Sequence, residues 1–161
     1  MEYIQEIEGQ VGQLKNVSKE IRKKIRLGKL DEAYRLTAQY PNDLIIMSQR
    51  CTILIKQGRL EEAKIIGKQF EDDPIIQSQM VTIAIQEGDI ERANAIGAKF
   101  ESNEAIQRQM ITIAIQEGRL EDAKAIGEKF QDNPMIQNQM ITIAIQEGRL
   151  EEAKAIGARF K

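Results

Sequence analysis

Glycine recurs at positions 28, 58, 88, 118 and 148, one every thirty residues, and the surrounding text recurs with it. The phrase Gln-Glu-Gly-Arg-Leu-Glu runs from Gln116 and again from Gln146, and looser copies surround Gly28, Gly58 and Gly88. A repeat of this length constrains the fold more than any other feature. It means one supersecondary unit, copied and stacked along an axis, with each unit touching only its neighbours.

The copy from Pro134 to Phe160 reads as two helices. Asn133 is a good N-cap, and Pro134 suits the first helical position, where its missing N–H costs nothing. Residues 135–146 then form the first helix, and Gly148 stops it as a residue of positive φ. A second helix follows over residues 150–160, with Glu151 and Glu152 in the first turn, where the macrodipole favours anions. At 100° per residue, Ile136, Met140, Ile143 and Ala144 share one face, with Ile141 and Ile145 beside it. So wide an apolar stripe fits a helix wedged between its own partner and the next repeat. In the second helix Leu150, Ala153, Ile156, Gly157 and Phe160 share one side. The run Ile141-Thr142-Ile143-Ala144-Ile145 also alternates like a strand, but the caps and the repeat argue for helix. Gly157 and its copies Gly67, Gly97 and Gly127 sit inside the second helix, where glycine costs about 0.5–1 kcal/mol against alanine. Close backbone approach by the neighbouring first helix is the expected reason. An early end to the second helix is the alternative.

Composition narrows the chemistry. The chain has 161 residues, 42% apolar and 30% charged, with 4% aromatic and no tryptophan, so packing relies on Ile, Leu, Met and Ala. There is no histidine, which removes the commonest general base and the commonest metal ligand. No catalytic residue, metal ligand or cofactor site is identified, and the chain reads as a non-enzyme. Cys51 is alone and aligns with Val81, Ile111 and Ile141, so a buried structural thiol is expected. Net charge is −2, unevenly spread: residues 1–29 carry +3 and the remainder −5. A mildly acidic array gains little from phosphate backbones, which argues against nucleic acid. No signal peptide or membrane-spanning run is apparent, and the expected location is cytoplasmic.

The segment Lys56-Gln57-Gly58-Arg59-Leu60-Glu61-Glu62-Ala63 resembles the turn between the two helices of a tetratricopeptide repeat. So do the copies ending in Ala33, Ala93, Ala123 and Ala153, together with Phe70, Phe100, Phe130, Phe160 and the prolines Pro74 and Pro134. The resemblance covers residues from about 17 to 160 as five units. The unit is thirty residues rather than thirty-four, and Gln77, Gln107 or Gln137 stands where a bulky aromatic is expected early in the first helix. The resemblance implies an all-α fold, an α-solenoid of five helix-turn-helix repeats with an N-terminal capping helix. The leader occupies residues 1–16 and the repeats 17–161. It also implies protein–protein recognition on a concave surface lined by first helices.

Residues 107–130 and 137–160 match at twenty of twenty-four positions, so their differences are informative. One falls at a first-helix surface position that reads Ser48, Ser78, Arg108 and Asn138. Its neighbours Thr82, Thr112 and Thr142, and Gln86, Gln116 and Gln146, stay constant. A ladder of hydroxyls and amides with one variable residue per repeat suits recognition of an extended protein segment or peptide. The candidate partner-binding residues are therefore Ser78, Thr82, Gln86, Arg108, Thr112, Gln116, Asn138, Thr142 and Gln146. A solvated face drifting neutrally is the competing reading. Ile4, Ile7, Val11, Leu14, Val17 (or Ser18), Ile21 and Ile25 recur at three- and four-residue steps, fitting a capping helix or a short coiled coil. Self-association through that helix or through the C-terminal repeat makes a structural, self-assembling role the alternative function. A duplicated or consensus-designed array without a native partner also fits such close copies, and RNA reading by helical repeats stands third.

Overall fold

The computed structural model describes residues 2–160, and among them every regular element is a helix, ten in all. The isoleucine-rich segments are helical, because caps and tertiary packing outweigh their β-propensity. In chain order the helices are α1 (Glu2–Arg26), α2 (Leu30–Thr37), α3 (Leu44–Lys56), α4 (Leu60–Gln69), α5 (Pro74–Gln86), α6 (Ile90–Lys99), α7 (Glu104–Gln116), α8 (Leu120–Glu128), α9 (Pro134–Gln146) and α10 (Leu150–Ala158). Residues 2–16 and the helix expected to follow them form one uninterrupted α1, which runs through Gly9 and Gly12.

Both ends of the hairpins follow from local chemistry. The five recurrent glycines all have φ between +73° and +77°, a region in which any Cβ is strained. At Gly118 the glycine N–H donates to Ile115 O at 3.1 Å and the Arg119 N–H to Ala114 O at 2.8 Å. This Schellman pair satisfies carbonyls that the end of α7 would otherwise leave open, and it recurs at the other four glycines. At the opposite ends of the first helices, Asp43, Asp73, Asn103 and Asn133 each accept the N–H three residues on, at 2.9–3.0 Å.

The chain forms two compact units, Met1–Ile83 and Ala84–Lys161. In the first, α1 packs on α2 and α3, α2 on α3, and α3 on α4. Its core gathers Ile21, Ala33, Ile46 and Ile53, flanked by Leu14, Val17, Tyr34 and Leu36. In the second, α6 packs on α7, α7 on α8 and α9, α8 on α9, and α9 on α10. Its core gathers Ile111, Ala114, Ala123, Ile136, Met140 and Ile143. Within each unit every helix therefore touches the next one or two along the chain. Cys51 is fully buried, as its alignment with apolar positions requires, and burial pushes its thiol pKa up to about 12.

Three of the four glycines inside the second helices make room for a side chain rather than for backbone. A Cβ at Gly67, Gly97 or Gly127 would lie 2.2–2.3 Å from the sulfur of Met80, Met110 or Met140 respectively. The second helices continue past these glycines, to Gln69, Lys99 and Glu128. The glutamines standing where an aromatic was expected complete the same joint. Gln107 Nε2 donates to Gly97 O and Phe100 O, both at 3.0 Å. Gln77 and Gln137 repeat the pair of bonds thirty residues earlier and later. Each of these buried amides closes the C-terminal carbonyls of the preceding second helix.

Candidate functional site

The surface row on the first helices is set by helical period, since positions four apart fall one above another. In the unit Met1–Ile83, Ser78 and Thr82 are half-buried on α5, and Thr82 Oγ1 donates to Ser78 O at 3.3 Å. In the unit Ala84–Lys161, Gln86 is exposed; Arg108 on α7 is half-buried, while Thr112 and Gln116 are exposed. On α9, Asn138, Thr142 and Gln146 are all exposed. The packing of α7 against α9 brings Gln139 onto Arg108 and Thr112.

Much of this row is occupied by the protein itself. Thr112 Oγ1 donates to Arg108 O at 3.0 Å and accepts from Gln139 Nε2 at 3.0 Å. Gln139 Nε2 also reaches Arg108 O at 3.3 Å. The same arrangement ties α5 to α3, where Gln79 Nε2 donates to Ser48 O at 2.8 Å and to Thr52 Oγ1 at 2.7 Å. Gln49 extends it to α1, donating to Ser18 O at 2.9 Å. Thr52 and Thr112 each receive a glutamine from another first helix, a structural duty that the sequence pattern left entangled with recognition. The exposed groups of the row are Thr112, Asn138, Thr142 and the glutamines Gln86, Gln116 and Gln146.

Charge is concentrated on the other side of the hairpins. Lys124 on α8 bonds both Glu121, at 2.9 Å, and Glu147 of the next turn, at 2.7 Å. The hydrogen bond from Lys124 holds the Glu147 carboxyl below its usual range, and the same bond holds the Lys124 ammonium above its own. Lys124 and Glu147 line a cavity of about 190 Å³ together with Gly127, Met140 and Ile143. An equivalent site between α2, α3 and α4 measures about 370 Å³, and there Tyr34 and Arg50 replace Lys124 and Met140. Neither cavity is among the sequence-derived residues. The signal that would have found the second was the break in the repeat at Thr37 and Arg50, where later copies keep Gly and Met.

Among the described residues, no group of three His, Cys, Asp or Glu side chains is placed to hold a metal ion. No described helix is long and apolar enough to cross a membrane. No protein-family model matches the chain, and no curated protein matches it in sequence.

Proposed function

We propose that the protein is a non-enzymatic interaction scaffold, a tetratricopeptide-like α-solenoid of five helical hairpins behind an N-terminal capping helix. Its first helices present a surface that takes a segment of another protein. The observation that carries this reading is the glutamine ladder. Bonds from Gln49, Gln79 and Gln139 fix consecutive first helices side by side within each unit. The ladder is spent on holding register, so the variable residues Arg108 and Asn138 and the outward Gln86, Gln116 and Gln146 stand on a pre-organised frame. Pre-organisation lowers the cost of binding, because little side-chain or backbone freedom remains to be lost. A cytoplasmic location and a protein or peptide partner belong to this proposal.

Affinity capture from a cell extract tests it, comparing wild type with a Gln86→Arg, Gln116→Arg, Gln146→Arg triple variant. These side chains are exposed, so helicity is expected to survive while a specific partner is lost. Equal capture by both proteins, with circular dichroism unchanged, would remove the first-helix surface from the account.

A second reading, self-assembly, is favoured by the apolar stripe on α1, where Tyr3, Ile4, Ile7 and Val11 are 43–74% exposed. Ile4, Ile7, Val11 and Leu14 have the spacing of two coiled-coil heptads. Light scattering decides it: a concentration-dependent dimer that Ile7→Lys abolishes supports this role, and a monomer at high concentration rejects it.

A further inference from the structure

The joint between α2 and α3 breaks the chemistry shared by the later ones. Thr37 stands where Gly67, Gly97 and Gly127 stand, and Arg50 stands where Met80, Met110 and Met140 stand. The two positions change together because they touch. Thr37 is fully buried; its Oγ1 donates to Tyr34 O and accepts from Arg50 Nη1 at 3.2 Å. Arg50 Nη2 donates to the Tyr34 phenol oxygen, and its guanidinium carbon lies 4.2 Å from the ring centroid. Arg59 also stacks on this ring, at 4.6 Å.

The two arginines differ in charge balance. Arg59 is held by Glu62 through both carboxylate oxygens, at 3.0 and 2.6 Å. The hydrogen bonds of Arg50 go only to the neutral oxygens of Thr37 and Tyr34. Arg50 lies in the cavity between α2, α3 and α4, beside Tyr34 and Glu62, with Met47, Leu54 and Ile65 as an apolar wall. Ile65 is 59% exposed, where the three later copies carry Ala95, Ala125 and Ala155. The site thus combines two arginines and one carboxylate, a net positive charge whose Arg50 has no carboxylate hydrogen-bond partner, with the exposed aliphatic side chain of Ile65.

We propose that this cavity binds an acidic side chain flanked by an aliphatic residue, both belonging to a segment of a partner protein. The carboxylate pairs with Arg50 and the aliphatic group rests on Ile65. A carboxylate fits better than a phosphate. With Arg59 paired to Glu62, the site offers about one net positive charge, which a single carboxylate balances and a phosphate dianion exceeds. Arginine and tyrosine are also the side chains that most often dominate binding energy, and a guanidinium–carboxylate bond is charge-assisted. The site uses none of the residues from Ser78 to Gln146 and stands independently of the first-helix surface.

The test is a nuclear magnetic resonance titration of the whole chain with the peptide Ala-Leu-Glu-Leu-Ala and its Ala-Leu-Gln-Leu-Ala counterpart at millimolar concentration. The acidic peptide is expected to shift the Arg50 Nε–H and Ile65 methyl signals, and to bind about tenfold or more tightly than the amide peptide. The double variant Thr37→Gly, Arg50→Met rebuilds the later joint and is expected to fold without binding. Ile65→Ala, which installs the residue of the three later copies, is expected to fold and bind more weakly. The proposal is overturned if the acidic peptide produces no shift, if both peptides bind alike, or if the double variant binds like wild type. Stronger shifts from inorganic phosphate or from an RNA oligonucleotide would equally overturn it.

Discussion

Adding one methyl group at Gly97 probes how the hairpins lock together. The new Cβ would lie 2.2 Å from Met110 Sδ, 2.7 Å from Cγ and 3.4 Å from Cε. Favourable carbon contacts lie at about 3.5–4.0 Å, so the first two are far inside contact distance. Rotation of the methionine tip cannot relieve them, because Cγ is held one bond from Met110 Cβ on the α7 backbone. Overpacking of this kind costs about 1–3 kcal/mol. Alanine returns about 0.5–1 kcal/mol of helix propensity over glycine. The net loss for Gly97→Ala is then about 0–2.5 kcal/mol, a fall in melting temperature of up to several degrees at roughly 2–4 °C per kcal/mol. Gly157 provides the internal control, since it sits in the same Ala-Ile-Gly context. Its nearest neighbour is Ile141 Cδ1 at 3.9 Å, an ordinary contact. Gly157→Ala should therefore be neutral or stabilising, by up to about 1 kcal/mol. Urea and thermal melts followed by circular dichroism measure both. Equal stabilisation by the two substitutions would refute the methionine-in-glycine joint.

Three further outcomes follow from the same contacts. Gln107→Leu removes both bonds to Gly97 O and Phe100 O, leaving buried carbonyls open, and should cost about 1–3 kcal/mol in a urea melt. The carboxyl groups of Glu32, Glu62 and Glu147 are all held below their ordinary value of 4.5 by cationic hydrogen-bond donors. Their contribution to stability is complete above that value and is lost as pH falls through their lower folded values, so denaturation midpoints should fall on acidification in that range. Glu147→Gln should flatten that response, whereas an unchanged acid limb would exclude the Lys124 pairing from it. Cys51, with its thiol raised to about 12 by burial, should resist alkylation at pH 8 until denaturant is added, as mass spectrometry of timed samples will report.

The parts of the fold legible in the sequence were those governed by local rules. Positive φ at Gly118, the Asn133 cap and the inward face of Ile136, Ile143 and Ala144 each depend on residues within about one turn of themselves. What the sequence concealed depends on pairs about thirteen, ten or thirty residues apart. Gly97 was legible as purposeful, but its purpose lies in Met110, a residue of the next hairpin. Gln107 read as a departure from a family pattern, although it donates to a helix end ten residues earlier. Thr112 read as a recognition residue because constancy on an exposed face has two causes, and its acceptance of Gln139 appears only when α7 and α9 are packed. The Tyr34–Arg50 site was hidden in the same way. It is visible as a deviation from the repeat, but its unbalanced charge emerges only once Glu62 is seen to be committed to Arg59.

The central claim is that in three successive joints a first-helix methionine, Met80, Met110 or Met140, sits against the bare backbone of the preceding second helix at Gly67, Gly97 or Gly127. A methyl-labelled nuclear Overhauser spectrum measures this contact in solution. Cross-peaks should join the methyl groups of Met80, Met110 and Met140 to the Hα protons of Gly67, Gly97 and Gly127 respectively. Methionine methyls that instead show cross-peaks only within their own helices would contradict the account.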